Sequence, residues 1–518
     1  MSARTAVFDR ATLLFVAILI AVTALRIWGL TVTPLNLHFD EAQYWAWSRT
    51  LEWGYFSKPP LVAWVIAATT GIFGDAEWAV RLGAPLSQSL TGLFIFMLGR
   101  SMYGAWAGFW AGLAWLTMPG VWLSSSIIST DAVLLPCWTL ALFALWRLTN
   151  TRAWMWAIVL GLAVGAGVLA KYAMLYFVLG VAIAARYSPA VREGLGQWRG
   201  AVAGLIALAL FSPNLYWNVQ HRFATVSHTA SNAHLTSDFI NPDKWLEFTA
   251  SQIGVIGPLL FAALIWLVWR AVRRASGLSQ EDRFLIAFTL PILIVVMAIA
   301  FISRANGNWA VASYPAALIW IAGSITIGLR GRRFMAAAVA INVALGGVVA
   351  AAGLNPALAD QMGFANALKR TRGWDETARE IATRAQTQPG EAPFSAVMVD
   401  HRATYYELAY YWRHARRAGT PLPPVRMWVL HGEARNSAEA LDPMRVEEGG
   451  RVLVVHATPE MLPFVSGDFS AFRTVEHLSI PLGGGINRQL DLSVGEGFAP
   501  VPRDAAFEAR LRQNEDDD

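Results

Sequence analysis

Apolar positions run in long unbroken stretches over the first two thirds of the chain and give way to mixed polar sequence after Leu354. The first stretch, residues 11–30, is about 20 residues long, enough to cross a hydrocarbon core. It carries no small-residue cleavage site, so it reads as a retained span rather than a signal peptide. Further runs occupy residues 82–98, 105–123, 132–146, 154–170, 173–185, 200–217, 250–269, 284–302, 309–329 and 335–354. Together these predict about eleven transmembrane helices. The run at 61–73 is shorter, about 13 residues, and suits an interfacial or re-entrant helix better than a span.

Beyond Leu354 the pattern changes. Residues 395–399 and 451–456 have the β-branched character of strands, and 405–417 the period of a helix. Residues 355–518 are therefore expected to form a small α/β domain, and 1–354 a membrane domain whose first outer loop is 31–82. Residues 515–518 read as a frayed acidic tail. Gly161, Gly165 and Gly167 form a small-residue packing face.

Composition narrows the class. Of 518 residues, 55% are apolar or aromatic and 15% charged, whereas soluble domains are about a quarter charged. A soluble globule of this size and a disordered chain are both excluded. Cys137 is the only cysteine, so an internal disulfide framework is impossible. The 24 Trp suit a protein with long membrane interfaces. The net charge of +5 comes from Arg scattered between apolar runs, which disfavours nucleic acid as a partner. No GxxxxGK[ST] loop, HExxH or Cys cluster is present, so ATP hydrolysis and a thiolate metal site lack support.

Charge also orients the spans. Arg4 and Arg10 precede the first run and place the N-terminus in the cytoplasm. If 61–73 does not cross, Arg100, Arg147, Arg152, Arg186, Arg192, Arg199, Arg270, Arg273, Arg274, Arg283, Arg330, Arg332 and Arg333 all fall on that side. If it crosses, all fall outside, against the positive-inside rule. The non-crossing topology makes the C-terminal domain extracytoplasmic.

The same topology gathers ionisable residues on the outer face. The first loop carries His38, Asp40, Glu41, Gln43 and Tyr44, continues through Tyr55 and Lys58-Pro59-Pro60, and ends at Arg81. Asp131, Lys171-Tyr172, Asn218, His221, Arg304 and Asn308 stand near the outer ends of later spans. Charges beside hydrocarbon persist mainly where they face a cavity or one another, so a polar cleft at the outer surface is expected. Each residue also has a plainer reading. Asp40-Glu41 suits a helix N-terminus, Lys58 a snorkelling lysine, and Asp131 an N-cap. Lys171 and Asn308-Trp309 suit interface markers, and His221 an ordinary surface histidine.

Taken together, Asp40-Glu41, Tyr44, Lys58-Pro59-Pro60, Phe73-Gly74, Glu77 and Arg81 resemble bacterial membrane glycosyltransferases of the GT-C fold. That group includes the aminoarabinose and galacturonic acid transferases of lipid A; protein O-mannosyltransferases are more distant. Asp131, Lys171-Tyr172, 213–221, Asn308-Trp309, Tyr314-Pro315 and Gly373-Trp374 extend the likeness. Gln43 stands where the aminoarabinose transferases tend to have Arg.

The resemblance implies inverting transfer of a sugar from a polyprenyl-phosphate donor to an envelope glycolipid or glycan acceptor, at the periplasmic face of a bacterial inner membrane. Lys58 would hold the leaving phosphate, with Arg81 or Arg304 assisting. Asp40 would be the base, Glu41 the second choice. Tyr44, Tyr55, Asp131, Lys171, Tyr172, Asn218, His221 and Asn308 would line the substrate cleft. If the acceptor is an anionic phosphate, Asp40 would instead orient it or bind a divalent cation; no recognisable metal-ligand spacing supports such a cation. Protein O-mannosylation stays open, as does a flippase that moves lipid-linked sugar without breaking a bond. Charge concentrated on the outer face argues against the flippase, because transporters place their sites near the midplane.

Overall fold

The computed structural model describes residues 9–231, 240–386 and 392–516. Arg4, Asp517 and Asp518 lie outside the described residues; the last helix, Ala505–Asp516, includes Glu515. The chain folds as two compact units, one comprising the residues to Thr33 and Leu51–Ala351, the other Pro34–Thr50 and the residues from Ala352 on.

The first unit is helical. Among the described residues six helices are long and apolar enough to cross a membrane: Arg10–Val32, Glu77–Tyr103, Thr130–Thr151, Arg199–Gln220, Gln280–Ile302 and Leu329–Leu354. Two bent pairs raise the number to eight if each counts as one span. The hydropathy pattern predicts eleven, and the difference has local causes. The run at 250–269 breaks at Gly257, whose φ of +94° ends one helix just before Pro258 starts the next, at 115°. The run at 105–123 divides at Met118-Pro119 into Ala105–Thr117 and Pro119–Ser124. The run at 309–329 opens as a 3-10 turn, Gly307–Ser313, and its α-helix is only Tyr314–Ile325. Leu61–Phe73 is a 13-residue helix, entered after Pro59-Pro60 and closed by Gly74 at φ +79°.

Of the expected glycine face on Trp154–Ala170, Gly161 and Gly165 pack against Arg199–Gln220, whereas Gly167 turns to Met174, whose Sδ a Cβ there would meet at 2.6 Å. A Cβ on Gly161 would meet the carbonyl oxygen of Ala203 at 2.6 Å, and one on Gly165 the Cβ of Leu210 at 2.8 Å. Close backbone approach of this kind is how helices associate without a hydrophobic driving force. Arg26, a charge within the first long helix, is buried; its Nη2 donates to the carbonyl of Leu116 at 2.6 Å, in the last turn of Ala105–Thr117.

The second unit is α/β. Strands β1 (Ala396–Val399), β2 (Val425–Met427), β3 (Arg451–His456), β4 (Phe469–Gly483) and β5 (Ile486–Phe498) form one sheet in the order β2-β1-β3-β5-β4. β1 is parallel to β2 and β3, while β5 runs antiparallel to β3 and β4. Met398, Val452, Val454, Trp428 and Phe469 lie in its core. The helix expected at 405–417 is two, Arg402–Tyr411 and Arg413–Arg417.

Pro34–Thr50 folds with this second unit rather than with the rest of loop 31–82, and its own side chains explain why. The helix Phe39–Trp47 packs on Arg402–Tyr411, with Trp45 edge-on to Tyr410 at 5.0 Å between ring centroids. Trp47 Nε1 donates to Ser437 Oγ at 3.2 Å, the backbone N–H of Leu37 to the hydroxyl of Tyr411 at 3.2 Å, and the N–H of Trp374 to Asn36 Oδ1 at 2.8 Å.

Candidate functional site

The expected site residues divide between the two units. In the first unit, Ser129 rather than Asp131 caps the helix Thr130–Thr151, its Oγ accepting from the N–H of Ala132 at 3.2 Å. Asp131 is left free to bridge. Its Oδ1 accepts from Lys171 Nζ at 2.7 Å and its Oδ2 from Asn308 Nδ2 at 2.7 Å. Lys171 stands where Trp154–Ala170 ends in extended backbone, and Asn308 opens a 3-10 turn. Three separate segments thus converge on one carboxylate, whose side chain is 12% exposed. An ion pair so enclosed repays its desolvation only when further hydrogen bonds satisfy it, and Asn308 supplies one.

A second network adjoins the helix Arg199–Gln220. The hydroxyl of Tyr172 donates to Asn214 Oδ1 at 2.9 Å and accepts from Asn218 Nδ2 at 3.1 Å. Asn218 is buried, and its Oδ1 has no hydrogen-bond partner among the described residues. Asn214 Nδ2 donates to the carbonyl of Trp53 at 2.5 Å, and Trp217 Nε1 to Glu52 at 2.5 Å. Thr225 donates to the carbonyl of Tyr55 at 2.6 Å. These bonds pin the loop before Lys58, whose carbonyl accepts from the N–H of Tyr55 at 3.1 Å. Tyr55 is buried, and desolvation pushes its phenol up to about 12. Lys58 is half-buried, Arg81 is fully buried at the end of Glu77–Arg81, and Arg304 is exposed in the turn after Gln280–Ile302. His221 is exposed and stacks on Trp217 at 3.9 Å.

In the second unit, Phe39–Trp47 is entered through a capping box. His38 Nδ1 accepts from the N–H of Asp40 at 3.2 Å, and Glu41 Oε2 accepts from the N–H of His38 at 2.9 Å. Glu41 is buried with that bond made, whereas the side chain of Asp40 is 39% exposed. Tyr44 is buried against Trp47. Arg402, at the start of its own helix, donates Nη1 to Gln43 Oε1 at 2.7 Å and lies 3.4 Å from Asp40 Oδ1. Burial holds His38 below the ordinary histidine range, partly offset by the charges of Asp40 and Glu41.

Sequence reasoning omits Arg402, Asn214, Glu52 and Thr225. Asn214 lies inside the motif 213–221, but nothing in one chain marks Arg402 as a neighbour of Asp40 across 362 positions. Among the described residues no group of three or more His, Cys, Asp or Glu could hold a metal ion.

Residues 57–217 match the family described as dolichyl-phosphate-mannose-protein mannosyltransferase. The chain is 39% identical over 303 residues to the lipid A galacturonosyltransferase RgtD of Rhizobium johnstonii, a match covering 58% of this chain and 63% of that protein. It is 27% identical to the lipopolysaccharide core galacturonosyltransferase RgtA of the same organism, over 41% of this chain and 42% of that one. Less than two thirds of the length of these curated relatives is thus matched. Among solved structures, ArnT from Cupriavidus metallidurans bound to undecaprenyl phosphate superposes with a TM-score of 0.60 at 18% identity, covering 95% of this chain and 99% of that one. That likeness shows the fold. The resemblance to lipid A glycosyltransferases carried by the first-loop residues is matched by these relatives.

Proposed function

We propose that this protein is an inverting glycosyltransferase that moves a sugar from a polyprenyl-phosphate donor to an envelope glycolipid of the lipid A or lipopolysaccharide type. The likeness to a lipid A galacturonosyltransferase carries the reading. The enclosed Asp131–Lys171–Asn308 cluster supports it, because such polar investment beside apolar helices serves a polar ligand.

The leaving group is a lipid phosphate monoester, so a fixed cation must meet its developing charge. Lys58 takes that role, assisted by Arg81 or Arg304. Asp40 removes the proton of the acceptor hydroxyl as the anomeric carbon is attacked from the face opposite the phosphate. The outer-end residues Tyr55, Asp131, Lys171, Tyr172, Asn218, His221 and Asn308 line the cleft, with Tyr44 supporting the helix that carries Asp40. In this reading the spans number eleven, Leu61–Phe73 stays on one side, and the first loop and C-terminal unit face the periplasm; the Arg distribution supports that orientation. The match of residues 57–217 favours protein O-mannosylation as the second reading.

The test is purified protein incubated with a polyprenyl-phosphosugar and an acceptor glycolipid, following release of free polyprenyl phosphate. Release that depends on acceptor is expected. No release with any donor would favour a flippase. Mass spectrometry of envelope glycolipids from a strain lacking the protein should show one missing sugar.

A further inference from the structure

Around Phe39 the second unit brings two guanidinium groups together. The guanidinium carbon of Arg402 lies 4.9 Å from the ring centroid of Phe39, and that of Arg370 lies 5.9 Å from the same centroid. Arg402 spends Nη1 on Gln43 and Asp40. Among the described residues its Nε and Nη2 meet no protein acceptor, and the guanidinium of Arg370 meets none at all. Asp40 is the exposed carboxylate of the group, since Glu41 is buried in the capping box.

Two histidines add donors. His38 and His401 each accept a backbone N–H at Nδ1, from Asp40 and Ala403, which leaves the ring proton on Nε2 of the neutral imidazole. Burial holds both below the ordinary histidine value. Two like-charged guanidinia over one ring repel unless an anion joins them. A planar fork with a free edge is the geometry that takes a carboxylate or phosphate through two parallel bonds. Contact with the ring holds both guanidinia near it.

We propose that Arg402 and Arg370 receive an oxyanion carried by the substrate, a carboxylate on the transferred sugar or a phosphate on the acceptor lipid, beside Asp40. The proposal rests on the glycosyltransferase reading above and deepens it by naming the residues that read the substrate's charge. It assigns Arg402 two tasks. One nitrogen holds Asp40 and Gln43 in place, and the free edge reads the incoming anion.

The experiment measures equilibrium binding to the full chain in lipid nanodiscs, with two matched pairs of probes. Undecaprenyl-phosphate-linked galacturonic acid and galactose differ by the sugar carboxylate. Lipid A with and without its phosphates differs by the acceptor anion. Arg402→Gln should weaken the anionic member of one pair by about tenfold or more, as expected for lost charge-assisted hydrogen bonds, and leave its neutral member within error. The affected pair identifies the source of the anion. Arg402→Lys should restore part of the loss. Arg370→Gln, at an exposed side chain whose loss leaves the fold intact, should weaken the same probe in the same direction.

Unchanged discrimination within both pairs in both variants would overturn the proposal, as would equal loss of anionic and neutral members. If the parental protein transfers sugar while the variants keep its discrimination, only this inference falls. If the parent binds none of the four lipids, the glycosyltransferase reading falls and takes this inference with it.

Discussion

Lys171 Nζ stands 2.7 Å from Asp131 Oδ1, joining two helices whose contributing residues are 40 positions apart. The side chains are 24% and 12% exposed, so neither charge is well hydrated alone. Lys171→Met should cost up to about 3 kcal/mol by stranding the carboxylate, and the double variant with Asp131→Asn should recover much of that loss. Thermal unfolding in detergent, arranged as a double-mutant cycle, measures it. Additive losses would mean that the pair contributes no coupling.

Asp40→Asn should lower sugar transfer by roughly 10²–10⁴-fold, the usual weight of a general base, while donor lipid still binds and the protein stays folded. The cap of Phe39–Trp47 is His38, so Asn in place of Asp40 leaves the helix entry intact. Full activity in this variant would remove Asp40 from the mechanism.

Lys58→Ala should weaken both donor binding and turnover, because a fixed charge meets the phosphate in ground and transition states alike. Arg at this position should rescue part of the binding. Normal affinity for the lipid phosphosugar together with the parental rate would exclude Lys58 as the phosphate ligand.

Asp400 accepts from the N–H groups of Ala457 and Thr458, yet burial outweighs those bonds and pushes its carboxyl up to about 6 from 3.8. A carboxyl raised on folding stabilises fully below its unfolded value and loses that contribution as pH rises through the folded one. Asp400→Asn should therefore unfold at a higher temperature than the parent at pH 8, with the gap narrowing toward pH 4. His38, His401 and His456 are shifted downward and lose stability in the opposite direction, as pH falls. Comparing the two proteins at each pH cancels their share. A pH-independent gap would assign the effect to packing.

A reporter active only in the cytoplasm, fused after Asp518, should remain silent, and one active only in the periplasm should signal. The Arg-rich connections demand this orientation only if Leu61–Phe73 does not cross. A cytoplasmic signal would place the C-terminal unit inside.

Several features were legible from pattern alone. Strand β3 has the bounds that its β-branched run predicts, and β1 begins one residue later than expected. The long hairpin of β4 and β5 was missed, because residues 470–477 of β4 are exposed or half-buried on both faces and carry no apolar alternation. Two cues were present: the short alternation of Leu478, Ile480 and Leu482, which are buried, and Gly483-Gly484-Gly485, all at positive φ, which form the turn. The apolar runs located helices but not their breaks, since a hydropathy window averages over the Gly257-Pro258 step. Of the candidate site, the residue types on the outer loops could be read, but their pairing could not. Asp131 with Lys171, and Asp40 with Arg402, are set by tertiary packing that one sequence does not encode at any fixed spacing.

The bonding of Pro34–Thr50 to residues beyond Ala352 also sets a timetable for synthesis. Asn36 meets the N–H of Trp374 across 338 positions, and Trp47 meets Ser437 across 390. At about 5–20 residues per second, Asn36 waits roughly 17–70 s for its partner to be made. During that interval Leu37, Trp45 and Trp47, all buried in the finished unit, have no native cover. A ribosome stalled within the membrane segments would leave this stretch as a quality-control target even with every earlier helix inserted. For the same reason, a chimera that exchanges the C-terminal unit with a relative should carry residues 34–50 along with it, because a swap made at Ala352 alone would split one folding unit between two parents.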